Sequence, residues 1–151
     1  MSNNKIKTII NNKKARHDFH ILESYEAGIE LLGKEVKSIR QGKVNLKESY
    51  AQIEKGEVWL VGMHISPYEQ AGQFNDDPVR KRKLLLHKRE IRKLEAAVQQ
   101  QGLTLIPTKL YFKNSLVKVE LSLAKGKKLY DKRDDLKRKE IEKQIKLRLD
   151  N

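Results

Sequence analysis

Cysteine is absent from the chain, and this absence limits the kinds of site that the sequence can build. Without cysteine there is no disulfide framework, no thiolate zinc site and no thiol redox chemistry. The chain also lacks an apolar run long enough to span a bilayer, and residues 1–14 lack the apolar core of a signal peptide. We therefore expect a cytoplasmic protein with no membrane partner.

Acidic residues are outnumbered, with 33 Lys and Arg against 20 Asp and Glu, which gives a net charge of +13 over 151 residues. Residues 126–151 hold 10 basic and 6 acidic side chains, against 23 and 14 before them, so the tail carries +4 and the body +9. Such a potential attracts polyanions and raises their association rates. RNA, DNA and an anionic membrane all fit this charge.

The sequence has few of the groupings that support catalysis or cofactor binding. His17 and His20, placed three residues apart on a predicted strand, would point to opposite faces and could not share a metal ion. Asp76 and Asp77 lie in a loop-like stretch, and no nucleotide-binding glycine loop or nucleophile elbow occurs. We expect no catalytic residue, no metal and no cofactor, although an RNA-processing enzyme that uses these histidines and aspartates stays open as an alternative.

Alternation of apolar and polar residues predicts strands along most of the body. Apolar side chains at odd positions from Phe19 to Leu31 predict one long strand with a single buried face. A second strand is expected at 58–61, where Trp59 is interpreted as a core residue. Residues 103–112 predict a strand with an edge or bulge at its proline, and 117–124 alternate strictly after a hairpin link. Antiparallel pairing follows.

Two helices are predicted between these strands, at 34–41 with Val36 and Ile39 inward and at 88–101. Glycine ends each helix, at Gly42 and Gly102. A mainly β domain with a few helices is the expected fold class. We favour a closed antiparallel barrel of the oligonucleotide-binding kind, while the pattern alone leaves a sandwich open.

The tail, residues 126–151, favours helix over other regular structure but has no single apolar face to dock. Three i,i+4 ion pairs contribute roughly 0.2–0.5 kcal/mol each, which is small beside a nucleation factor on the order of 0.001. We expect a frayed or disordered tail that becomes helical against a polyanion. A merely solvated charged extension is the alternative.

A basic run, Arg80-Lys81-Arg82-Lys83, leads into three leucines and then Lys88-Arg89. Cations that flank an apolar anchor and a helix start are typical of a phosphate-binding surface. A solvated face that keeps a basic protein soluble is the alternative interpretation.

Ordered motifs along nearly the whole chain resemble the SsrA-binding protein, or small protein B, family. The resemblance is carried by Asn12-Lys-Lys-Ala-Arg-His-Asp18, Tyr25-Glu-Ala-Gly-Ile29, Glu35-Val-Lys-Ser-Ile-Arg40, Arg82-Lys-Leu-Leu-Leu-His87, Leu110-Tyr-Phe112, Lys118-Val-Glu-Leu121, Ala124-Lys-Gly-Lys-Lys128 and Asp131-Lys-Arg133. Several motifs in order and at consistent spacing are far more specific than any single one.

The resemblance implies a barrel domain at 1–125 that binds the tRNA-like domain of transfer-messenger RNA near its elbow. The family residues implicated in that contact match Asn12, Phe19, Glu26, Leu85 and Lys118, and we add Lys37, Arg40 and Lys83 on charge alone. Phe19 stands where the family usually has tyrosine, so stacking is kept and a hydroxyl is lost. Glu26 would accept hydrogen bonds from base amino groups or 2′-hydroxyls, or orient a cation such as Arg40.

The resemblance further implies delivery of that RNA to stalled bacterial ribosomes for trans-translation, by a free monomer, with elongation factor Tu and the alanylated RNA as a further partner. The tail would occupy the decoding centre of the small subunit, against its ribosomal RNA, and the empty messenger channel. The tail residues matched are Gly126, Lys127, Lys128, Tyr130, Asp131, Lys132 and Arg133, with Ile141, Ile145, Arg148 and Leu149 in the distal helix. A general nucleic-acid-binding barrel without this specificity is the remaining alternative.

Overall fold

The computed structural model describes residues 5–67 and 77–127, which form a mainly β structure with a few helices. In chain order the elements are β1 (Ile6–Asn11), α1 (Lys13–Asp18), β2 (Phe19–Ile29), α2 (Gly33–Arg40), β3 (Val44–Asn45), β4 (Tyr50–Glu54), β5 (Glu57–Val61), β6 (His64–Ile65), β7 (Arg82–Leu85), α3 (Lys88–Gln101), β8 (Thr104–Lys113) and β9 (Leu116–Gly126).

Seven of these strands form one antiparallel sheet in the order β1-β8-β4-β5-β7-β2-β9, while β3 and β6 pair separately. Strand β8 has three neighbours, because it pairs with β1, with β4 at Ala51 and Leu105, and with β9 along its whole length. The link between β8 and β9 is the predicted hairpin, and Asn114 and Ser115 turn it with φ of 51° and 70°.

Helix α3 begins and ends as predicted, since Gly102 adopts φ of 64° and donates its N–H to the carbonyl of Val98. Helix α2 is confirmed within a residue at each end, with Ile39 buried and Val36 partly buried in the core. The sequence patterns did not reveal α1, whose six residues include three basic side chains and no apolar stripe.

The prediction of one buried face along β2 is wrong at its beginning. The register shifts between Ile21 and Glu23, so the strand has a β-bulge there. After the bulge Tyr25, Ala27 and Ile29 pack into the main core, but Phe19 and Ile21 pack into a second, smaller cluster of apolar residues. The bulge therefore turns the first residues of β2 to the opposite side of the sheet.

Strand β5 is confirmed, but Trp59 does not take the core position that we expected. Val58 and Leu60 on either side of it are fully buried, and alternation turns Trp59 to the other face, where it lies opposite Lys83 of β7. The indole is only partly covered there and lies outside the main apolar cluster.

An ionic cluster beneath α2 fixes that helix to β7 and is buried within the protein. Arg82 is 0% exposed, and its guanidinium donates to Glu35 Oε2 at 2.8 Å and to the carbonyls of Met63 and Pro78. Arg80 donates to the same carboxylate. Burial alone would raise the pKa of Glu35, but hydrogen bonds from Arg80, the Leu32 N–H and Arg82 outweigh it, so the pKa is lowered.

Candidate nucleic-acid interface

One face of the sheet, here called the outer face, faces away from the main core across β7, β2, β9 and β8. Residues directly opposite in paired strands point to the same side of a sheet. The register of these strands therefore defines the outer face as Phe19, Ile21, Ser24, Glu26 and Gly28 of β2, Lys118, Glu120, Ser122, Ala124 and Gly126 of β9, Thr104, Ile106, Lys109, Tyr111 and Lys113 of β8, and Leu85 of β7.

The bulge in β2 is what brings Phe19 and Glu26 to this same face. They are seven positions apart, and strict alternation would place an odd and an even position on opposite sides. Because the extra residue near Glu23 shifts the alternation, Phe19 lies opposite Gly126 and Glu26 lies opposite Glu120. The two predicted RNA-binding residues thus lie along one surface, at the two ends of β2.

Glu26 is the centre of a small hydrogen-bonded group on the outer face. The Tyr111 hydroxyl donates to Glu26 Oε2 at 2.6 Å, and Lys113 Nζ donates to the carboxylate at 3.2 Å. The Tyr111 bond is the main reason that the pKa of Glu26 is lowered, while burial and this carboxylate raise the pKa of Tyr111. Glu26 is thus an ionised acceptor held in place by a hydroxyl donor.

The expectation that Glu26 orients Arg40 is wrong for the described residues, because the cation bound to it is Lys113. Tyr111 and Lys113 were not predicted as site residues. The predicted hairpin could have indicated them. A link at 113–115 brings Tyr111 opposite Lys118, which places Tyr111 on the same face as that predicted site residue.

Gly28 is the register partner of both Leu85 and Lys118 on the outer face. It lies between them, opposite Leu85 in β7 and opposite Lys118 in β9. A Cβ at position 28 would come within 3.2 Å of the Leu85 Cβ, so a larger residue would displace that leucine. Leu85 is 47% exposed, so its apolar side chain is accessible on this face.

Asn12 makes hydrogen bonds inside the protein, and these hold α1 in position. It is buried and caps α1, where its Oδ1 accepts from the Ala15 N–H at 3.1 Å. Its Nδ2 donates to the Pro107 carbonyl at 2.8 Å and to the Leu46 carbonyl at 3.4 Å. The amide therefore positions α1 against β8.

Helix α1 covers the end of the outer face at which Phe19 lies. Phe19 packs with Ala15 of the helix and with Ile106 and Ala124 of the sheet. Arg16 extends from α1 to Glu120 Oε1 at 3.1 Å, which also accepts from Thr108 Oγ1. The basic helix is thus joined to the acidic residue that lies beside Glu26.

The three residues added on charge alone are placed differently from one another. Lys83 shares its side of β7 with Leu85 and forms an ion pair with Glu57 at 2.9 Å. Lys37 and Arg40 lie on α2 and do not join the outer face. Arg40 instead borders an open cavity of about 780 Å³ that Lys5 and Lys7 also line.

The basic run at 80–83, which we interpreted as a phosphate-binding surface with a solvated face as the alternative, does not present its four cations on one face. Alternation along β7 turns Arg82 inward, and both arginines bind Glu35. Lys81 lies 3.5 Å from Glu54, and Lys83 is paired with Glu57. Two of the four cations are therefore held by a buried carboxylate, and the other two lie in exposed ion pairs.

Only the beginning of the predicted tail falls within the described residues. Gly126 is the last residue of β9 and lies opposite Phe19, and Lys127 is the last described residue. The other tail predictions lie outside the described residues, namely Lys128, Tyr130, Asp131, Lys132, Arg133, Ile141, Ile145, Arg148 and Leu149.

The prediction that His17 and His20 share one strand is wrong, because His17 lies in α1 and His20 lies in β2. The His17 ring contacts Asp18 Oδ1 at 3.1 Å. Within residues 5–67 and 77–127, no three His, Asp or Glu side chains are grouped so that they could hold a metal ion. In the same part of the chain no helix has both the length and the apolar character needed to cross a membrane.

Comparison with known proteins places the chain in a family. A family model described as SmpB protein matches residues 9–151. The chain is 63% identical over 139 residues to an SsrA-binding protein of Geobacillus thermodenitrificans (strain NG80-2), covering 92% of this chain and 90% of the relative. It is 62% identical over 145 residues to an SsrA-binding protein of Caldanaerobacter subterraneus subsp. tengcongensis, covering 93% and 92%.

A solved structure described as "tmRNA-SmpB: a journey to the center of the bacterial ribosome" contains a similar chain. The TM-score is 0.68 at 55% identity, and the similarity covers 82% of this chain and 87% of the other. The matches in sequence and in structure agree with each other. The chain belongs to the SmpB protein family.

Proposed function

We propose that this chain binds the tRNA-like domain of transfer-messenger RNA with its outer face and delivers that RNA to stalled ribosomes for trans-translation. The relatives are named as SsrA-binding proteins, and the description of the similar solved structure names tmRNA-SmpB and the bacterial ribosome. The proposed role is recognition and delivery, without catalysis by this chain, in the bacterial cytoplasm and by a protein that is a monomer when free.

The observation that carries the proposal is the convergence of four matched residues on one surface. The strand register and the β2 bulge place Phe19, Glu26, Leu85 and Lys118 together on the outer face. They supply a ring, a fixed acceptor, an apolar side chain and a cation. Folded RNA is recognised by its shape, its phosphates and its 2′-hydroxyls, and this combination suits all three.

Each chemical group has a proposed partner in the RNA. Lys118 would bind a phosphate, and Phe19 would stack on a base. Glu26 would accept hydrogen bonds from 2′-hydroxyls or base amino groups, because Tyr111 and Lys113 already hold it ionised and oriented. Asn12 would act by holding α1 in place, and Lys83 would contribute charge at the edge of the surface. Lys37 and Arg40 would contribute positive charge from α2.

The sheet that carries this surface is proposed to be a closed barrel of the oligonucleotide-binding type. The pairings run from β8 through β4, β5, β7 and β2 to β9, and β9 pairs again with β8. A cycle of this kind supports closure, which leaves β1 as an added strand beside β8.

The chain is proposed to work in two parts, with residues 1–125 as the RNA-binding domain and 126–151 as the part that contacts small-subunit ribosomal RNA. The tail would enter the decoding centre through Gly126 to Lys128 and Tyr130 to Arg133, and the messenger channel through its distal residues. The family model matches this tail as well as the body, which supports a role for both. Elongation factor Tu would join through the alanylated RNA.

Truncation after Lys127 tests this division, since it leaves β9 intact. We expect affinity for the tRNA-like domain to change little and tagging of stalled peptides to be abolished. Affinity is measured by filter binding and tagging by incorporation of the tag in a stalled translation reaction. Equal loss of both activities would contradict two separate parts.

A competition gel shift with bulk tRNA tests the specificity. A tmRNA-specific protein retains its complex at an excess of competitor that displaces a general binder. A steep salt dependence together with no preference between the RNAs would favour the general nucleic-acid-binding barrel instead.

A further inference from the structure

A second cavity, of about 250 Å³, opens beside the outer face where α1 approaches β4 and β8. Its floor has an apolar part, formed by the buried residues Ala15 and Ile106, beside the buried polar residues Asn12, Asp18 and Ser49. An apolar cavity of about 150 Å³ takes up a benzene ring. This cavity therefore has room for one nucleobase but not for a stacked pair of bases.

Two aromatic rings line this cavity. One is Phe19, which also belongs to the outer face, and the other is Tyr50, the first residue of β4. Tyr50 is 43% exposed, although the next residue, Ala51, is buried in the core. Aromatic rings stack on any base, so a partly open pair of rings over a partly apolar floor suits a base that has left its stack.

Polar groups border the same cavity on the side of α1. The Lys14 ammonium binds Glu48 in an exposed ion pair, and Ser49 and Thr104 also contribute to the lining. Exposed pairs of this kind contribute little to stability, because solvent screens them. A phosphate can therefore replace Glu48 at Lys14 at little cost, and the released carboxylate can accept from a base amino group.

We propose that this cavity is a base-binding subsite that takes up one unstacked nucleobase of the RNA held on the outer face, with Tyr50 as the stacking residue. The proposal rests on the proposed function, since the RNA on the outer face supplies the base. Phe19 connects the two, because it lines the cavity and lies on the same face as Glu26. Tyr50 would thus extend the interface onto β4, beyond the strands that carry the matched residues.

The test compares the full chain with Tyr50→Ala, Tyr50→Leu and Tyr50→Phe. Dissociation constants for the tRNA-like domain of transfer-messenger RNA are measured at two salt concentrations, and base accessibility is mapped by chemical probing of the bound RNA. Leu32→Ala is the matched control, because Leu32 is 42% exposed, close to Tyr50 at 43%, but precedes α2 and lies off the outer face.

Loss of stacking on one base weakens binding between about 5-fold and about 150-fold, and this loss is expected for both Tyr50→Ala and Tyr50→Leu. Tyr50→Phe keeps the ring and restores most of the affinity, while the control binds as the parent chain does. The salt slope stays unchanged because no phosphate contact is removed. One nucleobase loses its protection when Tyr50 is replaced by leucine.

Tyr50→Leu distinguishes stacking from packing, because leucine retains apolar volume but has no flat ring. Full affinity and an unchanged pattern of protected bases in Tyr50→Leu would overturn the base-binding subsite while leaving the proposed function intact. Failure of the parent chain to bind the RNA at all would overturn the proposed function itself, and the subsite with it.

Discussion

Two carboxylates of this protein each bind two side-chain donors, and the two clusters serve opposite purposes. Glu35 binds Arg80 and Arg82 beneath α2, where Arg82 has no exposed surface. Glu26 binds Tyr111 and Lys113 on the outer face, where its side chain is 39% exposed. The first cluster fixes a helix to a strand, and the second leaves an oriented acceptor and a cation where a ligand can reach them.

The side of the strand on which a cation lies, and not the density of charge in the sequence, decides whether that cation is buried or exposed. Arg82 and Lys83 are neighbours in the basic run, but strand alternation turns the arginine inward and the lysine outward. The arginine is the more suitable of the two for burial, because its planar guanidinium can distribute several hydrogen bonds at once.

The largest effect is expected for Arg82→Ala, which removes a fully buried partner of Glu35 and leaves Arg80 as its remaining arginine. Removal of one member of a buried ion pair costs about 3–5 kcal/mol of unfolding free energy. Lys83→Ala, its neighbour on the other face, is expected to cost far less, since its pair with Glu57 is exposed to solvent. Urea unfolding of the two variants measures the difference.

A double replacement, Glu35→Leu with Arg82→Met, serves as the control. It removes both charges together and is expected to recover much of the loss, because an apolar pair can replace a buried ion pair. Equal losses of unfolding free energy in Arg82→Ala and Lys83→Ala would show that the buried ion pair of Arg82 does not fix α2 to β7.

A smaller effect is expected on RNA affinity when the pair around Gly28 is altered. Lys118→Ala should weaken binding to the tRNA-like domain by about 1 kcal/mol and lower the salt slope by about 0.9, as for loss of one phosphate contact. Leu85→Ala should weaken binding without a change in slope. Filter binding across a salt series measures both, with Lys81→Ala as the control. The same slope in all three variants would exclude a phosphate contact at Lys118.

A weaker effect still is expected for Tyr111→Phe, which removes the hydroxyl from Glu26 and keeps the ring. The pKa of Glu26 should rise toward its ordinary value, because the Tyr111 hydrogen bond is the main cause of its depression. Carboxyl carbon shifts in an NMR titration measure that pKa. RNA affinity should fall only about two-fold, or about 0.5 kcal/mol, as the acceptor loses its orientation. An unchanged pKa would show that Lys113 alone holds the carboxylate.

The smallest effect is the contribution of Glu26 to stability. Its folded pKa is below the unfolded value of about 4.3, so the contribution is present above that pH and is lost as the pH falls through the folded pKa. Because the side chain is more than a third exposed, solvent screening keeps the contribution below about 1 kcal/mol. Urea unfolding of Glu26→Gln from pH 7 to pH 3 should approach the parent curve at the acidic end. A difference that grows toward low pH would reverse the sign.

Sequence patterns predicted the elements whose signal is local. Helix α3 has 3–4 spacing and a glycine stop, and the β8–β9 hairpin has strict alternation around a short link, so both were correct. Helix α1 was missed because six largely charged residues give no periodic signal, and its stability comes from the Asn12 cap and from packing on the sheet.

The candidate site was only partly accessible to the same reasoning. The resemblance supplied Phe19 and Glu26 as matched positions, but parity alone would place them on opposite faces. A β-bulge depends on the partner strand and leaves no signature in composition, so the shift near Glu23 that unites them was not predicted. The inward direction of Arg82 likewise depends on how β7 pairs with its neighbouring strands, so a run of four basic residues did not reveal it.

The pairing of β2 with β9 has a consequence for how the protein is made. Ser24 and Ser122 share a hydrogen bond although they are 98 residues apart, and β2 pairs with β9 along most of its length. A sheet joined by such distant contacts folds slowly, since the chain must close a long loop first. During synthesis β2 must therefore wait for its principal partner, and Phe19 and Glu26 acquire their places on the surface only after β9 has left the ribosome.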